Sequence, residues 1–258
     1  LKKNKIKYKV LLVNQKNFEK KILRYKNYIC FNALHGPFGE DGQIQKILKK
    51  NKIKFTHSNY ISSRNCFDKM KAKKIVSANK ILTPNFLAIK KEDLNPKNLY
   101  SFKKVFKKFV VKPTSSGSSY GIKIIRNNNE LRFFLSEIDQ FKNNLSKHSH
   151  IMIEEFISGI ELTVSTIEIK NKITPLAVTE IISNNSFFDY EAKYSKGFSK
   201  HIIPARISKI NYNKCLKLAS KLHKILKCKS ISRSDFILNP YSNNIYYLET
   251  NTQPGLTS

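Results

Sequence analysis

The sequence predicts a mixed fold of the α/β (α+β) class, and three observations support this expectation. Near the start, apolar strand-like runs alternate with an amphipathic helical segment, a rhythm typical of parallel β-α-β units. Further along, pairs of apolar runs are separated by short polar turns, which is typical of hairpins. Hydrophobic residues make up 40% of the 258 positions, so the chain can bury a substantial core.

The first part of the chain reads as a β-α-β unit. Three short apolar runs, over residues 6–13, 28–34 and 53–56, are interpreted as strands. The turn-rich stretch HGPFGEDG (35–42) follows the second run, and apolar residues at helical spacing predict a helix over 42–51. The order strand, helix, strand predicts parallel pairing.

The middle of the chain predicts two strands around a loop rich in Ser, Thr and Gly. Helices are expected over 68–79 and 130–144, and strands over 105–112, 122–126 and 151–156. The loop 113–121 begins beside Lys112, and successive backbone N–H groups of such a turn can cradle an anion. An ordinary hairpin with a polar loop would show the same pattern, so both interpretations stay open.

The last part predicts a hairpin over 161–182, a long polar loop over 183–203, a helix over 212–228 and strands over 234–238 and 245–250. A turn centred near Ser242 would place Asp235 opposite Glu249. Asn251 lies two residues further, on the same face as Glu249. Two carboxylates and an amide oxygen suit a hard cation such as Mg²⁺, although a solvated sheet face is the alternative.

The net charge of +30, from 48 Lys and Arg against 18 Asp and Glu, raises nucleic acid as a partner. The charge is mostly Lys, is spread along the chain, and accompanies an excess of Asn and Ile. These three residues are favoured by A+T-rich coding sequences, so we interpret most of the charge as mutational bias. A nucleic-acid-binding protein should instead show clustered basic faces with interleaved aromatic residues.

Other sequence features argue against several classes of protein. The four cysteines have neither zinc-site nor disulfide spacing, which indicates reduced thiols. No apolar run reaches the roughly 18 residues that span a bilayer, and no signal peptide is recognisable, so a cytoplasmic protein without membrane contact is expected. The missing initiator Met and the ending at Ser258 predict a sequence truncated at both ends.

Several stretches together resemble the D-alanine–D-alanine ligase family of ATP-grasp enzymes. They are FNALHGPFGEDG (31–42), FDKMKAKKI (67–75), VVKPTSSGSSYG (110–121), IMIEEFISGIELTV (151–164), FFDYEAKYS (187–195), GFSKHIIPA (197–205), RSDF (233–236) and YYLETNTQPGLTS (246–258). Their order and spacing cover nearly the whole chain. The resemblance implies an ATP-grasp fold with three parts: an incomplete Rossmann-like domain (1–58), a central α+β subdomain (59–150) and an incomplete C-terminal sheet subdomain (151–258).

The resemblance also implies the reaction, which is ATP-dependent ligation of two D-alanines through an acyl phosphate for peptidoglycan precursor synthesis. It implies two Mg²⁺ (or Mn²⁺) ions at Asp235, Glu249 and Asn251, and a homodimer as the assembly. The residues that it implies for ATP are Lys69, Lys112, Ser119, Glu154, Glu155, Phe156, Ile157, Glu161 and Lys193. Lys69 and Lys112 would contact phosphates, and Glu161 would hold the ribose.

Five further residues match the family's catalytic and substrate positions. Arg233 and the Gly255 amide would stabilise the tetrahedral oxyanion. Ser118 and Tyr194 would tie loops closed over the reactants, and His35 would lie near the first D-alanine. By itself, a single histidine is more often structural.

Two departures and three alternatives accompany the resemblance. The family's N-terminal glycine-rich turn with its substrate-binding glutamate is absent, and its serine for the second substrate would fall beyond Ser258. The chain could therefore be an inactive fragment. It could also be another ATP-grasp ligase, such as one that makes D-alanyl-D-lactate, although Tyr194 favours the dipeptide enzyme. A nucleic-acid-binding protein is the alternative from a different class.

Overall fold

Two antiparallel β-sheets form the framework of the computed structural model, which describes residues 5–14, 16–115, 121–145, 149–183 and 199–255. The described strands are β1 (Phe86–Lys90), β2 (Phe109–Pro113), β3 (Lys123–Ile125), β4 (His150–Glu155), β5 (Ile160–Ile169), β6 (Lys172–Ser183), β7 (Ser199–Ile202), β8 (Ile231–Leu238) and β9 (Ile245–Asn251). The central sheet has the order β1-β4-β2-β3, and the C-terminal sheet has the order β7-β6-β5-β8-β9.

Helices cover one face of each sheet. The described α-helices are α1 (Phe18–Ile22), α2 (Gln43–Lys50), α3 (Tyr60–Phe67), α4 (Lys69–Ala78), α5 (Pro96–Val105), α6 (Asn128–Ser136), α7 (Ile138–Asn144) and α8 (Lys209–Ile225). Short 3₁₀ turns occupy Leu23–Tyr25 and Lys91–Asp93. None of these helices combines the length and the apolar character that crossing a bilayer requires.

The hydrophobic residues form three clusters. The largest lies between the C-terminal sheet and helices α4 and α8, and it includes Leu162, Phe236 and Tyr247. A second cluster packs α5, α6 and α7 against the central sheet, and a third gathers apolar residues of the first 55 positions, including Leu48. Strands β5, β8 and β9 therefore bury one face in the largest cluster and leave the opposite face for polar side chains.

The predicted strand over 6–13 is wrong, and the predicted pairing of 28–34 with 53–56 is observed only as a single parallel bridge. Residues 5–14 have no strand, and only a parallel bridge between Cys30 and Phe55 joins the predicted strands 28–34 and 53–56. Val10 and Leu12 are 75% and 83% exposed. A strand needs neighbours to satisfy its backbone groups, and one bridge leaves most of these groups to water. The predicted helix 42–51 is confirmed as α2.

Later elements follow the prediction more closely. The hairpin expected over 161–182 is β5 and β6, and the last two expected strands are β8 and β9. The helix expected over 130–144 is instead two helices that meet at Glu137. Helices α3 and α5 and strands β1 and β7 were not predicted; β7 lies within the segment that we expected to be a loop.

Candidate active site

A β-bulge brings the two predicted metal ligands together. Near the turn, β8 and β9 pair regularly, with Leu238 opposite Ile245 and Phe236 opposite Tyr247. The register then shifts by one residue, so that Asp235 lies opposite Glu249. The extra residue reverses the alternation of faces, and Glu249 turns away from the core in which Tyr247 is buried. The predicted pairing of Asp235 with Glu249 is confirmed.

The polar face of the C-terminal sheet has two rows of side chains across three strands. Thr163, Asp235 and Glu249 form one row, because Asp235 is the register partner of both Thr163 and Glu249. Arg233 lies in the next row, with Ser165 on one side and Asn251 on the other. Directly opposed residues of antiparallel strands share a face, so both rows open to the same side of the sheet.

Asp235 is held from two directions. Arg233 donates hydrogen bonds from Nε and Nη2 to the two Asp235 carboxylate oxygens, at 3.0 and 2.9 Å. The Thr163 hydroxyl donates a third, at 2.5 Å. The negative charge of Asp235 raises the pKa of the Arg233 guanidinium above its ordinary value, with smaller contributions from Glu249 and Glu161. Arg233 therefore remains a cation at every working pH.

Glu249 and Asn251 complete an oxygen-rich edge. The Lys69 Nζ atom lies 3.2 Å from a Glu249 oxygen, and about a third of the Glu249 side chain is exposed, at 31%. The Asn251 Oδ1 atom accepts a hydrogen bond of 2.8 Å from the Gln253 N–H. Carboxylate and amide oxygens are the ligands that hard divalent cations prefer, so this donor set fits Mg²⁺. Within the described residues, no three His, Cys, Asp or Glu side chains form a metal cluster, so Asn251 would have to contribute.

A second charged group lies where the central sheet meets helix α4. Lys112 follows Val110, the register partner of Glu154, by two residues, so Lys112 and Glu154 leave the same face of adjacent strands. Lys112 forms an ion pair with one Glu154 oxygen, and Lys73 Nζ lies 2.9 Å from the other. Lys73 also donates to the Thr83 hydroxyl at 2.6 Å. Lys73 is fully buried and was not predicted from the sequence.

The two lysines and the carboxylate change one another's ionisation. Burial alone would raise the pKa of the Glu154 carboxyl, but the charges of Lys112 and Lys73 outweigh it and hold that pKa below its ordinary value. Burial lowers the pKa of Lys73 to about 8, against the opposing attraction of Glu154. The group thus presents two cations around one buried anion, and Lys112 lies on β2 next to the start of the Ser/Gly loop.

Comparisons with known proteins show which family the chain belongs to. A family profile described as "D-ala D-ala ligase C-terminus" matches residues 75–258, well over half of the chain. The chain belongs to the D-alanine–D-alanine ligase family. It is 42% identical to the D-alanine–D-alanine ligase of Pelagibacter ubique over 254 residues, which are 97% of this chain and 79% of that protein.

Two solved structures of the family extend the comparison. The D-alanine–D-alanine ligase of Bacillus anthracis complexed with ATP is 29% identical with a TM-score of 0.73, and the match covers 93% of this chain and 74% of that one. The VanG D-Ala:D-Ser ligase of Enterococcus faecalis is 30% identical with a TM-score of 0.72, covering 89% and 65%. The chain thus spans just under two thirds of the VanG structure. The ATP-grasp fold is confirmed.

The residues that family resemblance predicts for the adenine and ribose follow the end of β4. Glu155 accepts a hydrogen bond of 2.7 Å from the Asn85 side chain, and the Phe156 N–H donates to the Lys108 carbonyl at 3.1 Å. Ile157 is half-buried in the connection to β5. Glu161 lies two residues before Thr163 on β5, so its side chain leaves the same face as the Asp235 row. The contacts of these residues with ATP stay predictions.

His35 lies in the N-terminal loop, beside the carboxylate of Glu40. His35 Nδ1 is 3.4 Å from Glu40 Oε1, and the Gly36 N–H donates to Glu40 Oε2 at 2.9 Å. Burial raises the pKa of the Glu40 carboxyl, and the negative charge of Glu249 adds to this rise.

Other predicted site residues lie at or beyond the limits of the described structure. Gly255 is exposed and ends the last described segment. Ser118, Ser119, Lys193 and Tyr194 lie outside the described residues, so their predicted roles stay predictions. Besides Lys73, sequence reasoning missed the buried amides Asn32 and Gln253, which join the N-terminal loop to the segment after β9. Only the pattern of long-range contacts identifies these three residues.

Proposed function

We propose that this protein ligates two D-alanine molecules to D-alanyl-D-alanine with conversion of ATP to ADP and phosphate, as a step of peptidoglycan precursor synthesis. The observation that carries the proposal is the row Thr163–Asp235–Glu249, with Arg233 beside it and Lys69 in contact with it. Membership of the D-alanine–D-alanine ligase family supports the substrate. This arrangement suits phosphoryl transfer, which depends mainly on positioning and on neutralising charge.

The nucleotide side of the proposed mechanism uses the lysines. Lys69 and Lys112 supply positive charge to the phosphates. Glu154 forms ion pairs with both Lys112 and Lys73, and these pairs fix the position of Lys112. Glu154, Glu155, Phe156 and Ile157 would line the adenine, with Glu161 at the ribose. Ser119 and Lys193 would reach the nucleotide when their loops close. The structure of a relative in complex with ATP supports a nucleotide in this family's cleft.

The substrate side uses the cation at Arg233. The carboxylate of the first D-alanine attacks the γ-phosphate and forms an acyl phosphate, and the amine of the second D-alanine then displaces phosphate. Arg233 and the Gly255 N–H would stabilise the oxyanion of that second step. Because Asp235 accepts hydrogen bonds from Nε and Nη2 of Arg233, the guanidinium is oriented before the substrate binds. His35 would orient the first D-alanine, and Ser118 and Tyr194 would close over both reactants.

The oxygen-rich edge is the proposed site of the metal ions. Asp235, Glu249 and Asn251 would hold two Mg²⁺ or Mn²⁺ ions, which would neutralise charge on the transferring phosphoryl group. Arg233 and Lys69 already compensate the two carboxylates, so the edge carries balanced charge without them. A homodimer and a cytoplasmic location complete the proposal, and both rest on the resemblance to the family.

The decisive experiment measures ADP release by the purified protein with ATP, Mg²⁺ and single amino acids. We expect release with D-alanine and none above background with L-alanine or with DNA. Equal release with L-alanine, or stimulation by DNA in the absence of D-alanine, would overturn the proposal.

A second candidate is a ligase that takes another second substrate. The 30% identity to a D-Ala:D-Ser ligase specifically favours testing it. Competition between D-alanine and D-serine or D-lactate as second substrate, at neutral pH, separates the two. We expect the D-alanyl-D-alanine product to predominate; predominance of the D-serine or D-lactate product would establish the alternative.

A further inference from the structure

A pair of buried amides joins two segments that lie far apart in the sequence. The Asn32 Nδ2 atom donates a hydrogen bond of 2.6 Å to Gln253 Oε1, across 221 residues. Asn32 is 4% exposed and Gln253 is 1% exposed. A hydrogen bond between groups that water cannot reach fixes the relative position of the segments that carry them, because neither group has an alternative partner in solvent.

Both the oxygen and the nitrogen of each amide form hydrogen bonds, and these neighbours fix the orientation of the amides. Asn32 Nδ2 also donates to the Gly39 carbonyl at 2.9 Å, and Asn32 Oδ1 accepts from the Leu34 N–H at 3.1 Å. Gln253 Nε2 donates to the Leu34 carbonyl. Turning either amide over would place oxygen against oxygen or N–H against N–H. Only one arrangement therefore satisfies the pair.

These contacts close the N-terminal loop tightly. A Cβ atom added at Gly39 would lie 2.5 Å from the Leu34 Cβ atom, which no real packing tolerates. The Gly39 carbonyl accepts a second hydrogen bond from Gln45 at 2.7 Å. Asn32 thus holds the two ends of the stretch 34–39 together, and Gln253 is attached to the same loop through Leu34.

The two joined segments carry the groups proposed for the substrate end of the site. The loop contains His35 and Glu40, and the C-terminal segment places Asn251 two residues before Gln253 and Gly255 two residues after it. The Gln253 N–H donates to Asn251 Oδ1 at 2.8 Å. One residue therefore connects the oxygen-rich edge through its backbone and the N-terminal loop through its side chain.

We infer that Asn32 and Gln253 form an amide clamp that positions the D-alanine side of the site. This inference rests on the proposed function and adds two positioning residues to it. The clamp sets the distance between His35 in the loop and Gly255 in the C-terminal segment. The phosphate side depends on other elements, since Lys69 begins α4 and Lys112 lies on β2. Loss of the clamp should thus lower kcat/KM for D-alanine more than it raises the KM for ATP.

The test is a double-mutant cycle with Gln253→Ala, Asn32→Ala and both together, measured as kcat and KM for each substrate. We expect kcat/KM for D-alanine to fall by about 10²-fold, the effect of displacing reacting groups by roughly 1 Å. The KM for ATP should stay within about twofold. Residues that act as one unit are not additive, so the double variant should be no worse than the poorer single variant.

A control exists at another amide pair, of which Asn211 is buried and Asn243 is exposed. Asn211 Nδ2 donates to Asn243 Oδ1 at 3.0 Å, Asn211 is 5% exposed, and the pair lies at the turn end of the β8–β9 hairpin. Asn211→Ala should lower Tm about as much as Gln253→Ala does, but it should retain the kcat/KM for D-alanine. Gln253→Glu keeps the shape but replaces the donor to the Leu34 carbonyl, so it should fail as Gln253→Ala does, and it serves if the alanine variant does not fold.

Three results would overturn the clamp. The first is a fall in kcat/KM for D-alanine in Asn211→Ala as large as that in Gln253→Ala. The second is additivity of the two single effects in the double variant. The third is a rise in KM for ATP by the same factor as the fall in kcat/KM for D-alanine. If the wild-type protein releases no ADP with D-alanine, the proposed function fails separately. Hydrogen exchange then decides the clamp: faster exchange of the amides of 32–40 in Gln253→Ala supports it, and unchanged exchange refutes it.

Discussion

Glu249 lies on the polar face of the C-terminal sheet because one extra residue interrupts the pairing of β8 with β9. Its charge is compensated by Lys69, and its nearest acidic neighbour across the strands is Asp235. Two carboxylates face to face repel each other unless cations lie beside them. The site therefore depends on the balance between these acids and their cations.

We expect Glu249→Gln to lower kcat by at least roughly 10²-fold, the scale of losing one preorganised electrostatic contact. The amide keeps the shape of the side chain but removes the charge proposed to hold the metal ions. Steady-state ADP release over a Mg²⁺ titration measures the effect, and excess Mg²⁺ should rescue only part of it.

The matched control is Glu92→Gln, at an exposed glutamate in the 3₁₀ turn after β1. It should leave turnover unchanged. Wild-type turnover by Glu249→Gln at ordinary Mg²⁺ concentration would contradict the assignment of the metal site.

Lys73 gives a prediction about stability and pH. Burial lowers the pKa of Lys73 from 10.5 to about 8, so between these values the unfolded chain binds a proton that the folded chain does not. By linkage, the free energy of unfolding rises with pH through this window, and this contribution disappears below pH 8. Its size should be on the order of 1–3 kcal/mol.

Urea unfolding at pH 8 and pH 10, on the wild-type protein and on Lys73→Met, isolates this contribution. Relief of repulsion among the exposed lysines affects both proteins equally and cancels in the comparison. The wild-type protein should gain more free energy of unfolding than the variant. An equal gain would show that Lys73 ionises normally in the folded protein.

The sequence predicted some of these residues and missed others for one physical reason. A single hairpin brings Asp235 and Glu249 close together, so local spacing located the pair. The bulge that makes them direct partners was not predicted, and an unbroken register would place Leu248 opposite Asp235. Lys73 contacts Glu154, and Asn32 contacts Gln253, only because distant segments pack together. No local pattern distinguishes a buried lysine or amide from the many exposed ones in this chain.

Among the elements, helix α4 connects the two sheets. Its Val76 is buried in the C-terminal hydrophobic cluster, while its Lys73 reaches Glu154 on the central sheet. The helix begins at Lys69, and the side chain of Asp68 caps it by accepting a hydrogen bond of 3.1 Å from the Lys71 N–H. The cap thus fixes the residue proposed to contact phosphate.

Asp68→Ala should lower the free energy of unfolding by about 1 kcal/mol, the usual value of a lost N-cap, and raise the KM for ATP. Asp68→Asn should retain most of both, because asparagine caps helices about as well. Chemical denaturation and initial-rate kinetics measure the two effects.

The control cap is Asn127, which accepts from the Glu130 N–H at 2.9 Å and begins helix α6. Asn127→Ala should lose similar stability without any change in the KM for ATP. If both alanine variants raise the KM for ATP equally, general loosening of the fold explains the effect, and the role of the α4 cap is disproved.

The elements differ in how well the sequence predicted them. The β5–β6 hairpin was recognised because its signal is local: Lys170 and Asn171 both have positive φ in its turn. Helices α3 and α5 were missed although the side chains of Asn59 and Asn95 cap them. Strand β1 was missed because a five-residue run is short and is defined by pairing with β4, more than 60 positions away. The N-terminal run 6–13 looks like a strand but lacks a described partner.

Over the whole molecule, the positive net charge suits the anionic substrate that the proposed chemistry requires. The net charge is +30, and within the described residues the acidic side chains at the site, Glu154, Asp235 and Glu249, each have a cation beside them. A strongly positive protein attracts a polyanionic substrate such as ATP, and the attraction weakens as salt is added. Mutational bias and attraction of ATP are compatible explanations of the charge.

The proposed reaction activates a D-alanine carboxylate by phosphoryl transfer and then joins it to a second D-alanine. The most direct measurement uses D-alanine with oxygen-18 in its carboxylate, ATP and Mg²⁺, and mass spectrometry of the released phosphate. Attack of the carboxylate on the γ-phosphate predicts one heavy oxygen in each phosphate, together with D-alanyl-D-alanine and unlabelled ADP. Unlabelled phosphate, or label in AMP, would contradict this mechanism.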